Sequence, residues 1–139
     1  MPDKVLYTAE ATSTGDGRNG HVATSDGRID LDLAFPPELG GTGAGANPEE
    51  LFAAAYAACF HGALRLVADR EHAALGDSTV TAQVSIGPDG DALGLVVTLV
   101  IHVPGIERDK VREFAEAAHQ TCPYSRATRG NISVELRVL

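Results

Sequence analysis

Cys59 and Cys122 are the residues of this 139-residue chain best suited to covalent chemistry. Two cysteines are too few for a disulfide scaffold. In a reducing compartment such a pair is either two small buried hydrophobes or a redox or catalytic device. Cys59 lies in the apolar run LFAAAYAACF, residues 51–60, where burial alone favours an inert core thiol. Cys122 directly precedes Pro123, which biases it away from helical backbone angles. A short turn opening at Tyr124 offers backbone N–H groups that stabilise a thiolate. Cys59-x-His61 and His119-x-x-Cys122 hold two Cys and two His. However, positions i and i+2 on a helix point about 200° apart, so Cys59 and His61 cannot share an ion while the helix holds. No metal site is expected. The same geometry turns His61 away from Cys59 in a thiol hydrolase, leaving His102 and His119 as bases. Arg18 in a glycine-rich turn and Glu49 in a helix's first turn read, in isolation, as a solvated arginine and a dipole-satisfied acid.

The elements that must hold these residues follow from pattern. Residues 4–12 (KVLYTAEAT) alternate and read as a strand. A turn over 15–20 carries Arg18, a strand follows at 21–25, and the hairpin signal Asp26-Gly27 leads into a strand over 28–35. Residues 36–46 (PPELGGTGAGA) are too rich in Pro and Gly for regular structure and suggest close backbone approach or mobility. Asn47-Pro48-Glu49-Glu50 is a helix start. The helix is expected to run to about Ala74 with Gly76 as its stop. Its first half is apolar on every side and should be buried all round. Residues 78–86 and 93–103 form a hairpin about a turn at 87–91. Residues 107–121 place Val111, Phe114, Ala115 and Ala118 on one helical face. Pro123 ends that helix, a short turn follows, and residues 132–139 form a last strand. The expected fold is α+β, with antiparallel strands wrapped around a long central helix in the order βββ-α-ββ-α-(α)-β, as one domain over 1–139.

Composition narrows the function. Hydrophobic residues make up 44% and charged residues 22%, which excludes a disordered tail or a fibre. The net charge is −8, with −9 over residues 1–106 and +1 over 107–139. Nucleic acid and anionic membrane surfaces want the opposite sign. Aromatics are only 5% with no Trp, too few for a row of stacking platforms. No apolar run in the sequence reaches the ~20 residues of a membrane span. The start MPDKVLYTAEA lacks a basic region followed by an apolar one. A cytoplasmic protein is expected.

Taken together, the motifs resemble those of one family. Residues 47–60 (NPEELFAAAYAACF) resemble the peroxidatic-cysteine segment of the organic hydroperoxide resistance proteins. Cys122-Pro123-Tyr124-Ser125, continuing through Ala127-Thr128-Arg129-Gly130-Asn131, resembles their second-cysteine segment. Residues 4–9, Asp26-Gly27-Arg28 and the 40–45 glycine run are also similar. The resemblance covers essentially the whole chain. The osmotically induced branch shares the fold and the cysteine pair, but Tyr124-Ser125 and Arg18 favour the hydroperoxide resistance branch. Ala46 and Arg126 stand where Thr and Asn are more usual.

The resemblance implies a thiol peroxidase. Cys59 thiolate attacks the peroxide, an alcohol leaves, and Cys122 condenses with the resulting sulfenic acid to a disulfide. The family's reductants are dihydrolipoyl groups on partner proteins, fed by a lipoamide dehydrogenase, with no bound cofactor. By the same resemblance Arg18 contacts the thiolate and peroxide, Glu49 holds Arg18, and the assembly is an intertwined homodimer. The chemistry is consistent with these roles. A thiol of pKa 8.5 is ~3% ionised at pH 7; a pKa of ~6 makes it ~90%, a gain of ~30-fold or ~2 kcal/mol. Burial pushes the wrong way, so a fixed cation is needed. No Lys or Arg lies between Arg28 and Arg65. Arg18 supplies a charge that cannot be lost, and a carboxylate must accompany it into an apolar pocket. Phe52, Tyr56, Phe60 and the 36–45 loop are expected to line a cleft for alkyl or fatty-acid hydroperoxides. A hydrophobic-ligand binding module and a thiol hydrolase are the competing classes.

Overall fold

The computed structural model describes residues 1–139, which fall into two compact units, Met1–Pro48 and Glu49–Leu139. The first unit is an antiparallel three-stranded sheet in the order β1-β2-β3, with β1 Ala11–Thr14, β2 His21–Thr24 and β3 Asp30–Asp32. Ala11 faces Thr24 and Thr14 faces His21; His21 in turn faces Asp32. The strand expected over 4–12 is thus realised only at its end. The β1–β2 ladder starts at Ala11 and is extended by one hydrogen bond, Ser25 N–H to Glu10 O, so residues 4–9 have no strand opposite them within this register. Val5, Leu6 and Tyr7 are 68, 87 and 80% exposed. The Asp26-Gly27 signal gives a β-turn, with Gly27 N–H donating to Thr24 O, inside a wider loop that closes where Thr24 N–H meets Ile29 O.

Between β1 and β2 the chain makes one 3-10 turn, Gly17–Asn19. A Cβ at Gly20 would lie 2.2 Å from Thr14 O, so only glycine lets the chain close here. The Pro/Gly segment is not wholly irregular: Pro37–Leu39 is a single 3-10 turn. The glycines around it serve close approach, since a Cβ at Gly41 would lie 2.0 Å from Phe35 O. A parallel bridge from Leu33 to Ala46 returns the chain toward the long helix.

The second unit is built on α1 (Pro48–Arg70) and a sheet of order β4-β5-β6. Here β4 is Thr79–Asp89, β5 Ala92–His102 and β6 Val134–Val138. β4 and β5 form a long antiparallel hairpin over the two-residue loop Gly90-Asp91. Gly90 (φ +60°) supplies the left-handed angle at the first loop position, which places the turn tighter than the sequence suggested. Every second residue of each strand packs inward, including Val80, Ala82 and Val84 on β4 and Val97, Leu99 and Ile101 on β5. β6 pairs parallel to β5, not antiparallel, because α2 (Arg108–Thr121) and α3 (Pro123–Thr128) carry the chain back as a crossover.

α1 stops at Arg70, four residues short of the expected end. His72 takes the left-handed angle (φ 57°), with Ala73 N–H on Ala68 O and His72 N–H on Asp69 O. This Schellman closure puts a histidine where glycine is usual, so Gly76 is not the stop. The first half of α1 is buried on one face rather than all round. Tyr56, Phe60 and Leu64 recur every four residues against β5 and α2, whereas Ala54, Ala58 and Gly62 are exposed. By length and composition α1 is apolar enough to cross a membrane, and 28% of its most apolar stretch is buried within the chain.

Candidate active site: a paired-thiol centre

α1 and the α2–α3 junction bring the two cysteines together. Cys122 ends α2 and opens α3 with extended angles (φ −60°, ψ 124°) imposed by Pro123. Its N–H still donates to Ala118 O, and its carbonyl accepts from Arg126 N–H. One residue is thereby shared by two helices, and its backbone is fixed from both directions. Cys59, on the turn of α1 beyond Tyr56, meets it: the two Sγ atoms lie 3.4 Å apart in a thiol–thiol hydrogen bond. Both cysteines are free; Cys59 is half-buried and Cys122 fully buried. A disulfide S–S bond is ~2.05 Å, so the pair is about one short side-chain motion from bonding.

Burial pushes the Cys59 thiol above its ordinary pKa, and the hydrogen bond to Cys122 adds to the rise. The Tyr124 N–H, at the start of α3, donates to the Cys59 sulfur and pulls the other way. The larger effect is burial, as the apolar sequence of α1 implied. The partner of each cysteine in this centre is the other cysteine rather than a histidine. His61 Nε2 lies 2.9 Å from Ser78 Oγ, and His119 Nδ1 lies 2.8 Å from Ser125 Oγ.

The aromatic surroundings differ from expectation. Tyr56 and Phe60 have no exposed surface, so they back the centre and do not form an open wall. Phe52 is half-buried, and its ring lies 6.0 Å from Tyr56 in an edge-on contact and 6.4 Å from Tyr124. Tyr124, 39% exposed, joins this cluster, a place the sequence reading gave only to Phe52, Tyr56 and Phe60. Its signal was its place two residues after Cys122. A concavity of about 710 Å³ at the far end of the β4–β5 hairpin, lined by Ile86, Leu93, Leu95 and Ile132 among others, contains neither cysteine.

The two charged residues lie in different units. Arg18 sits on the 3-10 turn of the first unit, its guanidinium carbon 5.9 Å from the Phe35 ring centroid. Its neighbour Asn19 accepts the Phe35 N–H at 3.1 Å, which ties this turn to the segment after β3. Glu49 belongs to the first turn of α1.

The paired thiols at a helix junction, set on this α+β frame, define a class that comparison with known proteins makes specific. The OsmC-like protein family matches residues 41–137. The organic hydroperoxide resistance protein of Xanthomonas axonopodis pv. citri is 50% identical over 137 residues, covering 97% of this chain and 96% of that one. The crystal structure of such a protein from Legionella pneumophila superposes with a TM-score of 0.91 at 47% identity, covering 97% of this chain and 98% of that one. That of OhrB from Bacillus subtilis gives 0.88 at 44%, covering 97% and 100%. The chain therefore belongs to the OsmC-like family, among its organic hydroperoxide resistance proteins.

Proposed function

We propose that the protein is a thiol peroxidase that reduces organic hydroperoxides to alcohols. The observation that carries this reading is the free Cys59–Cys122 pair at 3.4 Å, with the outer thiol half-buried and the inner one fully buried. Cys59 thiolate attacks the distal peroxide oxygen, the O–O bond breaks, and the alcohol leaves with a proton. Cys59 is then a sulfenic acid. Cys122 displaces its hydroxyl as water, giving the Cys59–Cys122 disulfide. An external dihydrolipoyl dithiol on a partner protein, kept reduced by a lipoamide dehydrogenase, restores both thiols. No cofactor needs to be bound, and the reaction is assigned to the cytoplasm.

Arg18 is assigned to stabilise the Cys59 thiolate and polarise the peroxide, with Glu49 holding its guanidinium. Within the second unit the dominant influence on Cys59 is burial, which opposes ionisation, so a fixed positive charge has work to do. Glu49 and Cys59 are ten residues apart on one helix, about 15 Å along the axis and about 80° around it. A single arginine does not readily serve both in one chain. We therefore assign the site to a two-fold homodimer, with Arg18 and Glu49 from one subunit and the cysteines from the other. The open Ala54–Ala58–Gly62 face of α1 and the exposed Val5, Leu6 and Tyr7 support a second copy as the missing cover.

A turnover assay tests the reading. With dihydrolipoamide as reductant, tert-butyl or cumene hydroperoxide should be consumed with a kcat/KM on the order of 10² above that for hydrogen peroxide. That is the scale of burying three or four carbons at about 0.8 kcal/mol each. Equal rates for both peroxides, or support by glutathione or thioredoxin with none by dihydrolipoamide, would contradict it.

A further inference from the structure

A chain of buried hydroxyls joins the helices that carry the two thiols. Ser125, fully buried on α3, places its Oγ 2.8 Å from Tyr56 Oη on α1 and 2.8 Å from His119 Nδ1 on α2. Tyr56 Oη is also 3.2 Å from Thr128 Oγ1, and that hydroxyl donates to Tyr124 O at 2.9 Å. The residues tied by Ser125 are spaced alike from the two sulfurs. Tyr56 is three residues before Cys59 on α1, and His119 is three residues before Cys122 on α2. Side chains three apart on a helix lie on the same side. A single hydroxyl thus connects the helical turn under each thiol. The chain ends on the carbonyl of Tyr124, the residue whose N–H donates to the Cys59 sulfur.

Proton counting orders the chain. Each hydroxyl has one proton to give. The Thr128 proton goes to Tyr124 O, so Thr128 Oγ1 accepts from Tyr56. Tyr56 then accepts from Ser125, and Ser125 accepts from His119. His119 must therefore carry its proton on Nδ1. Burial, and secondarily the Arg129 charge, favour the neutral ring, and Arg129 Nη1 also donates to His119 O at 2.7 Å.

We propose that Ser125, held between His119 and Tyr56, is a positioning residue that fixes the Cys59–Cys122 approach and so sets how fast Cys122 resolves the Cys59 sulfenic acid. This rests on the peroxidase reading above. The step itself is Cys59–SOH plus Cys122–SH giving the disulfide and water, with the thiol proton leaving on the displaced hydroxyl. If the turn bearing Cys122 loosens, the sulfenic acid survives longer and excess peroxide converts it to sulfinic acid.

The test uses the full-length protein, Ser125→Ala and Tyr56→Phe, treated with excess cumene hydroperoxide and read by intact mass. The wild type should end mainly as disulfide, two hydrogens lighter. Both variants should resolve about fivefold more slowly, the scale of one buried hydrogen bond, and end with a correspondingly larger fraction carrying two extra oxygens. In parallel, two-bond ¹H–¹⁵N correlation of the neutral His119 ring in the reduced wild type should show the Nδ1–H tautomer, which Ser125→Ala should lose. If Ser125→Ala does not fold, Tyr56→Phe and the tautomer decide. Wild-type partitioning in folded variants, or an Nε2–H tautomer in the wild type, would overturn the proposal alone. A wild type that forms no disulfide would overturn the peroxidase reading and this step with it.

Discussion

Cys59→Ser is expected to reduce hydroperoxide turnover on the order of 10⁴-fold or more, the scale on which losing a covalent nucleophile acts. Cys122→Ser is expected to fail differently. The variant keeps the attacking thiol, so it should consume one equivalent of hydroperoxide per chain and then stop as a sulfenic acid. Further peroxide should carry it to the sulfinic acid, because no second thiol stands 3.4 Å away to intercept it. The asymmetry follows from burial: Cys59 is half-exposed and reachable, and Cys122 is enclosed. A steady-state peroxide assay and a single-turnover titration separate the two. Full multi-turnover activity in either variant would contradict the assigned roles.

The second large effect is complementation. Cys59→Ser and Arg18→Ala chains should each give nearly inactive homodimers. Co-expressed under two different tags and purified as the heterodimer, they should recover about half of the wild-type activity per dimer. Two-fold symmetry puts both lesions in one site and leaves the other intact. The prediction rests on the helix geometry, about 15 Å and about 80° between Glu49 and Cys59, which argues against one chain's arginine serving both. A purified heterodimer as inactive as its parents, or an active monomer in sedimentation, would rule out the shared site.

The fold was legible where local chemistry decides it. Pro123 announced the α2–α3 break, and Cys122 takes the extended angles a pre-proline residue prefers. The alternation of residues 78–86 gave β4, and Val111, Phe114 and Ala118 gave the buried face of α2. What escaped was set by partners distant in sequence. Residues 4–9 alternate as a strand does, but the pairing with β2 ends at the bond from Ser25 N–H to Glu10 O. The parallel β5–β6 pairing depends on where a crossover lands, which no local pattern records. The end of α1 was misplaced because His72 adopts an angle that sequence reasoning reserves for glycine. At the site, the thiols were legible as a pair only through the family resemblance, and their support was not legible at all. His119 read as a possible base or ligand, and Ser125 had no apparent task until α3 placed it between α1 and α2.

The central claim, that Cys59 and Cys122 form one redox centre, is tested most directly by intact mass after one equivalent of an organic hydroperoxide is added to the fully reduced wild-type protein. The account predicts the loss of two hydrogens per chain and a peptide in which Cys59 is joined to Cys122, both reversed by dihydrolipoamide. An unchanged mass with both thiols still open to alkylation would contradict it.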